Sequence, residues 1–247
     1  MKVEVCVDNF ESLQIAERAG ADRIELCGAL ALGGITPNAG FIEQAVKYAS
    51  IPIYVMIRPR NGDFYYSEYE VEIMLKDIYH ARVAGAQGVV FGVLDKQANI
   101  DRQVLKALMQ EAGQLGVTFH RAIDLASDYQ AALETIIEAG CERVLTSGQA
   151  ANALAGASVI QRMVKQAGDR LSIMPGAGVN HQNVVDIVRQ TGASEIHLSG
   201  KTTRPSHMIL NSNAATMGDM DDFALSITGA ENIQALRQAL GRADYKC

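Results

Sequence analysis

Four stretches of the chain repeat one pattern: "RAGADRIEL" (18–26), "VAGAQGVVF" (83–91), "EAGCERVLT" (138–146) and "QTGASEIHL" (190–198). Each reads as the last turn of a helix, then a glycine suited to the left-handed cap, then a short apolar strand. Because the same order recurs along the whole chain, the sequence predicts an internal βα repeat.

Four more apolar runs lie between these stretches and bring the candidate strands to eight. They are "VEVCVD" (3–8), "IPIYVMIR" (51–58), "LGVTFHRA" (115–122) and "RLSIMPG" (170–176). Helical periodicity fills the intervals, most clearly where Ser67 and Glu70 can form a capping box and Gly85 can end the helix. The other helices are predicted near 10–19, 38–49, 101–112, 128–139, 152–167, 181–190 and 231–240.

Alternating strands and helices predict a parallel sheet, and right-handed crossovers leave an open doubly wound sheet or a closed barrel. Eight similar units favour closure, and no G-x-G-x-x-G follows the first strand. We therefore predict a (β/α)8 TIM barrel as one domain over 1–247, with a long loop at about 200–228 after the eighth strand. A lid over the barrel mouth is one interpretation of that loop, and an exposed loop or dimer contact is the other.

Composition limits the partners of the protein. The 247 residues are 48% hydrophobic and 20% charged, which is typical of a soluble globular chain. A net charge of −6 without any basic run argues against nucleic acid or an anionic membrane surface, so we expect a small molecule or metal ion. The N-terminal residues lack the apolar core of a signal peptide, and no run of about 18 apolar residues can span a membrane. A cytoplasmic location is therefore expected.

The alternation of side chains along the strands indicates which residues face the barrel interior. Valines form the outward set of the first strand, so Glu4 and Cys6 point inward, and the same reasoning places Glu25 and Cys27 inward on the second strand. Two Glu-x-Cys units thus face the interior from neighbouring strands. The same alternation places these further residues inward: Asp8, Arg23, Met56, Arg58, Thr118, His120, Glu195, His197 and Ser199.

Ionised groups inside a barrel cost several kcal/mol each unless they pair with one another, shift their pKa values or bind a ligand. A neutralised internal network is one explanation for this polar interior. The clustering of the polar residues at the carboxyl ends of the strands favours the other, which is a ligand site.

One hypothesis for that site is an enzyme acting on a small phosphorylated or carboxylated molecule. Glycine-rich loops after the seventh and eighth strands are predicted to bind an anion through backbone N–H groups, although a tight turn also explains the first of them. The loop residues concerned are Gly176, Gly178, Ser199 and Gly200. Arg58, alone or together with Arg60, would clamp the anion. Glu25 or Glu4 would act as the general base, and His120 or His197 would act as the acid or electrophile.

A second hypothesis is copper binding, because Cu(I) prefers thiolate ligands and Cys6 and Cys27 both face the interior, with His120 or His197 as further ligands. A third is a barrel that binds a ligand without catalysis. The remaining cysteines, Cys141 and Cys247, lie at a helix-to-strand turn and at the chain end, and we expect neither of them in the site.

Seven motifs together resemble one known family: "VEVCVD" (3–8), "RIELC" (23–27), "VMIRPR" (55–60), "TFHRAID" (118–124), "RVLTSG" (143–148), "PGAGV" (175–179) and "EIHLSG" (195–200). The chain resembles the CutC family, whose proteins are named for copper homeostasis; Ile123 stands where the family pattern has Phe. The resemblance implies a (β/α)8 barrel, a cytoplasmic location and a homodimer. It also implies a Cu(I) site at a cysteine pair, which maps onto Cys6 and Cys27.

Overall fold

The computed structural model describes residues 1–209 and 221–242. Eight parallel strands form a nearly closed barrel, which confirms the predicted fold: β1 Lys2–Val7, β2 Arg23–Leu26, β3 Ile53–Met56, β4 Gly88–Phe91, β5 Gly116–Phe119, β6 Arg143–Thr146, β7 Ser172–Pro175 and β8 Glu195–Leu198. Hydrogen bonds link the strands in the order β7-β6-β5-β4-β3-β2-β1-β8. The two ends of this ladder, β7 and β8, contact each other.

Eight α-helices of the described residues surround the strands: α1 Phe10–Arg18, α2 Ala39–Tyr48, α3 Glu68–Ala84, α4 Arg102–Ala112, α5 Tyr129–Glu138, α6 Ala157–Ala167, α7 Val184–Thr191 and α8 Ala230–Arg242. The capping box of Ser67 and Glu70 is present, and Gly85 ends α3 in the left-handed conformation, as predicted. Helix α6 begins five residues later than predicted, because the backbone of Gly156 packs directly against Ser147 and keeps the preceding residues in a loop. None of the described helices is long and apolar enough to cross a membrane.

The segment at about 200–228 was predicted as a long loop, but both of its ends are β-strands. Strands β9 Lys201–Pro205 and β10 Ala224–Thr228 pair antiparallel to form a two-stranded sheet. Arg204 anchors β9 to Glu11 of α1 through paired hydrogen bonds of 3.0 and 2.7 Å, and this long-range contact was not visible in the sequence. The middle of the segment, 210–220, lies outside the described residues, as does Cys247.

The predicted orientation of the β1 and β2 side chains is confirmed. Val3 and Val5 belong to the outer core between the barrel and its helices. Cys6 and Cys27 belong to a separate buried cluster with Met56 on the inside of the barrel, joined by Tyr54 and Val90. The Glu-x-Cys units therefore face the interior.

Candidate functional site

Four buried charged side chains form an ion-pair network near the amino ends of the strands: Glu4, Arg23, Arg143 and Glu195. Arg23 Nε contacts the Glu4 carboxylate, and Arg23 Nη2 donates to Glu195 Oε2 at 2.6 Å. Arg143 Nε donates to the same Glu195 oxygen at 2.8 Å. Burial favours the neutral acid, but the two guanidinium groups outweigh it and lower the pKa of Glu195 to about 2. This lower layer is therefore a neutralised network.

Tyr54, a residue of β3, packs its ring against the two arginines of the lower layer. The guanidinium carbons of Arg23 and Arg143 lie 5.1 and 5.3 Å from its ring centroid, within the range of cation–π contacts. Its hydroxyl donates to Glu142, and burial together with that carboxylate raises the pKa of Tyr54 to about 12. Because Glu4 is held by Arg23 in this layer, Glu25 is the better placed of the two candidate bases.

A second polar group lies above the network, toward the carboxyl ends of the strands. Strand register places Cys6 opposite Glu25 and Glu4 opposite His197. His197 Nε2 lies 2.9 Å from Glu25 Oε2. One sulfur of Cys6, one carboxylate oxygen of Glu25 and one ring nitrogen of His197 all lie within 4.8 Å of one another. We call these three residues the Cys-Glu-His group.

Burial and mutual contacts set the protonation of the Cys-Glu-His group. Burial opposes charge on His197, but the Glu25 carboxylate and the Cys6 side chain outweigh it and raise the pKa of His197 well above its usual value. Burial also opposes charge on Glu25, and the imidazolium outweighs it and lowers the pKa of that carboxyl. Burial raises the pKa of the Cys6 thiol. At neutral pH the group is an imidazolium–carboxylate pair beside a neutral thiol.

The two cysteines lie at different heights in the barrel. Cys6 is opposite Glu25 in the strand register, and Cys27 follows Glu25 two residues later, just beyond the end of β2. The Cys27 thiol is fully buried and donates to Glu25 Oε2 at 3.6 Å. Residues 28–35 form a loop over it, and a Cβ added to Gly34 would lie 3.2 Å from its sulfur. Burial raises the pKa of Cys27 well above its usual value. Of the two predicted metal ligands, only Cys6 lines the cavity described below.

Arg58 follows β3 and holds the 28–35 loop in place. Its Nη1 donates to the carbonyl oxygens of Leu32 at 3.3 Å and Gly34 at 3.0 Å, and its Nη2 donates to the carbonyl of Gly62 at 2.8 Å. None of the ion pairs between described residues includes Arg58. The predicted anion clamp is therefore a buried cation whose guanidinium group donates to carbonyl oxygens and lies 5.1 Å from the centroid of the Phe64 ring.

His120 lies beside Arg58 and is held as a neutral ring. Its Nδ1 accepts a hydrogen bond of 3.2 Å from the Ala122 N–H, so the proton of the neutral ring is on Nε2, which makes no hydrogen bond. The ring packs on Phe64 with centroids 4.7 Å apart. Burial and the positive charge of Arg58 lower the pKa of His120 to about 4. At pH 7 His120 is therefore an uncharged hydrogen-bond donor.

A cavity of about 800 Å³ opens at the carboxyl ends of the strands. A volume of this size suits a small organic molecule. Its walls include most of the site residues predicted from the sequence, namely Cys6, Glu25, Arg58, His120, Gly178, His197 and Ser199. Phe64 and Lys201 also line it. The structure thus brings Glu25, His120 and His197 together at one mouth, whereas Glu4, the other predicted base, lies in the network below.

The four residues predicted to bind a phosphate fall into two pairs. Gly178 and Ser199 line the cavity. Gly176 is buried, and a Cβ added there would lie 2.5 Å from Leu145 Cδ1, so a larger residue would have to displace the Leu145 side chain. Gly200 has a φ of +57°, which favours glycine where the chain enters β9. Only Gly178 and Ser199 are placed to contact a ligand in the cavity.

Sequence reasoning missed two structural groups. Tyr54 and Arg143 face the interior, although the alternation of the apolar residues beside them already gave that signal. Asp124 joins two loops, because its carboxylate accepts hydrogen bonds from the Thr146 hydroxyl and from the Ser147 N–H at 3.0 Å. The motifs "TFHRAID" and "RVLTSG" therefore include residues that hold the β5 and β6 loops together.

Comparison with known proteins identifies the family of the chain. The CutC family model matches residues 1–202. A CutC family protein of Photobacterium profundum is 57% identical over 97% of this chain and 99% of the relative, and one of Aliivibrio fischeri is 51% identical over the same shares. The solved structure of CutC from Streptococcus agalactiae, named for copper homeostasis, is 32% identical, has a TM-score of 0.77, and covers 81% of this chain and 98% of its own. The chain belongs to the CutC family.

Proposed function

We propose that the protein binds Cu(I) inside the barrel, with Cys6 and His197 as ligands and Cys27 as a further soft donor. The observation that supports this is the approach of the Cys-Glu-His group to within 4.8 Å. Cu(I) prefers thiolate ligands and accepts imidazole, whereas a carboxylate is a hard ligand that suits it poorly. We therefore assign Glu25 the role of charge partner and proton acceptor, and we do not count it as a copper ligand.

Copper binding at this site must release protons. A thiol binds a metal as thiolate and a histidine binds it as the neutral ring. The pKa values of Cys6 and His197 are both raised in the folded chain, so protons compete with the metal at neutral pH. The affinity for Cu(I) is therefore expected to increase as the pH rises from 6 to 8.

The test is an anaerobic competition titration against a chromophoric Cu(I) chelator. Cys6→Ser and His197→Gln are each expected to weaken binding by at least about tenfold, since each removes a ligand. Cys141→Ser is the matched control, because Cys141 is also buried but lies in the outer core against Met109. If the Cys6→Ser, Cys27→Ser double variant binds Cu(I) as tightly as the parent chain, the site is misplaced.

A second candidate function is general acid–base catalysis on a small molecule. The observation that favours it is the hydrogen-bonded pair of Glu25 and His197 in the wall of a cavity of about 800 Å³ at the mouth of the barrel. Catalytic residues of TIM barrels lie at this face. Glu25 would accept a proton from the substrate, and His197 would donate one.

Native mass spectrometry of protein purified under reducing, anaerobic conditions separates the two candidates. Bound copper favours the first, and a co-purified organic molecule favours the second. The cytoplasmic location and the homodimer implied by the family resemblance stay predictions, to be tested by cell fractionation and by analytical ultracentrifugation.

A further inference from the structure

We infer that the mouth cavity recognises a small hydroxylated organic anion, whose carboxylate or phosphate group is bound by Arg58 and His120 and whose hydroxyl group donates to Glu25. This inference rests on the second candidate function for its chemistry, because it names the class of molecule on which the acid–base pair would act. It does not need copper.

The first support is uncompensated positive charge. Arg58 is only 7% exposed, lines the cavity and forms no ion pair with a described residue. Its three hydrogen bonds go to carbonyl oxygens, so two of its five N–H groups are left over, and Nε makes no hydrogen bond. Lys201 lines the same cavity and also forms no ion pair within the described ranges. The Asp8 carboxylate also lines the cavity and offsets one of these two charges, so the described residues leave a net positive charge at the mouth that favours an anion.

The second support is a neutral donor next to this charge. His120 is buried and lines the cavity, and its Nδ1 is occupied by the Ala122 N–H. The unpartnered Nε2–H is therefore a donor, in the same wall as Arg58. A guanidinium group beside a neutral imidazole N–H suits an anionic oxygen group, because both offer protons and neither offers an acceptor.

The third support is one unpartnered acceptor. Glu25 is 3% exposed and lines the cavity. Its Oε2 is bound to His197 and Cys27, but its Oε1 makes no hydrogen bond. A second anionic group on the ligand would be repelled here, whereas a hydroxyl group would donate to this oxygen. The expected ligand thus has its charge at the Arg58 side of the cavity and a hydroxyl group at the Glu25 side.

The experiment is isothermal titration calorimetry of the metal-free full chain with two matched pairs of probes. L-malate and glycerol 3-phosphate have the hydroxyl group, and succinate and propyl phosphate lack it. At least one hydroxylated probe is expected to bind about tenfold more tightly than its partner, since the missing hydroxyl leaves a buried carboxylate oxygen unpaired. Whether malate or glycerol 3-phosphate binds decides between a carboxylate and a phosphate.

Variants test the assignment of the groups. Arg58→Met is expected to weaken binding by about tenfold to a hundredfold, and Arg60→Met is the matched control, because Arg60 follows the same strand but is paired with Asp63 and Glu70. His120→Phe keeps an aromatic ring on Phe64, removes the donor without touching the 28–35 loop, and is expected to weaken binding by at least about fivefold. If Arg58→Met does not fold, His120→Phe alone tests whether the anion binds at this wall of the cavity.

Two results would overturn the inference: no binding of any of the four probes, or binding that the folded His120→Phe and Arg58→Met variants leave unchanged. Proton exchange distinguishes this inference from the function on which it rests. In oxaloacetate and dihydroxyacetone phosphate, the keto analogues of the two hydroxylated probes, a carbonyl group makes the neighbouring carbon-bound protons acidic. If a hydroxylated probe binds but the protein does not speed the exchange of these protons with deuterium in NMR spectra, the acid–base function fails and the recognition of the anion stands.

Discussion

Acidification from pH 7 to pH 5 is expected to destabilise the protein through His120 in particular. Burial and the Arg58 charge lower the pKa of this ring to about 4 in the folded chain, whereas an unfolded chain has a histidine pKa of about 6.5. Between these two values the unfolded chain binds more protons than the folded one. The contribution to stability is therefore complete above the unfolded pKa and is lost as the pH falls toward the folded pKa.

The size of the effect follows from the two pKa values. The whole difference corresponds to about 3 kcal/mol of unfolding free energy, and about 2 kcal/mol of it is lost by pH 5. His120 is only 4% exposed, so solvent screens little of this effect. A loss of that size is large beside the marginal stability of most domains.

Urea unfolding at pH 7 and pH 5 measures this loss in the parent chain and in His120→Phe. The other titrating groups are the same in both proteins, so the difference between the two pH dependences isolates His120. The parent is expected to lose about 2 kcal/mol more than the variant between the two pH values. Equal losses in the two proteins would refute the assignment of a neutral, buried His120, and His120→Gln provides a second comparison if the Phe variant unfolds.

Two further predictions concern the stability of the barrel, and urea unfolding at pH 7 measures both. Arg23→Met is expected to cost about 3–5 kcal/mol because it leaves the buried Glu4 carboxylate without its guanidinium partner. Arg102→Met, which removes an exposed ion pair with Glu138, is expected to cost about 1 kcal/mol or less; similar costs would contradict the buried network. Gly92→Ala places a Cβ 2.5 Å from His120 Nδ1 and is expected to cost about 1–3 kcal/mol. Gly40→Ala, in an exposed helical turn, is expected to cost nothing, and an equal loss at both positions would contradict the tight packing.

Much of the fold could be predicted because the sequence repeats its local signals. Side-chain alternation was sufficient to place Cys6, Glu25 and His197 inside the barrel, since each lies between apolar residues that face the helices. Alternation predicts which face of a strand a side chain occupies, however, and does not predict how far along the barrel axis it lies. The approach of Cys6 to Glu25, which the sequence left open, depends on the register of β1 and β2.

Contacts between loops could not be predicted from the sequence either, because local patterns do not give the relative position of distant residues. Arg58 was predicted as an anion clamp from its place after β3, but two of the three carbonyl groups to which it donates come from the 28–35 loop. The path of that loop depends on left-handed residues such as Ala29. The pairing of β9 with β10 likewise joins residues that lie far apart along the chain, such as Lys201 and Thr228. Local patterns do not specify such long-range pairs, and tertiary packing decides them.

The interior of the barrel divides into a lower layer whose charges neutralise one another, although Glu4 Oε1 has no hydrogen bond, and an upper layer that faces the cavity. This division is the ground on which we propose a function at the mouth. Below, Arg23 and Arg143 neutralise the carboxylates, so these charges serve the fold. Above, Glu25, Arg58 and His120 each keep a buried polar atom without a hydrogen bond, and all three line the cavity. Each such atom costs roughly 1–3 kcal/mol when its group is buried. A chain selected only to fold would do better with apolar residues at these positions, so the retained polar atoms indicate a ligand that pairs with them.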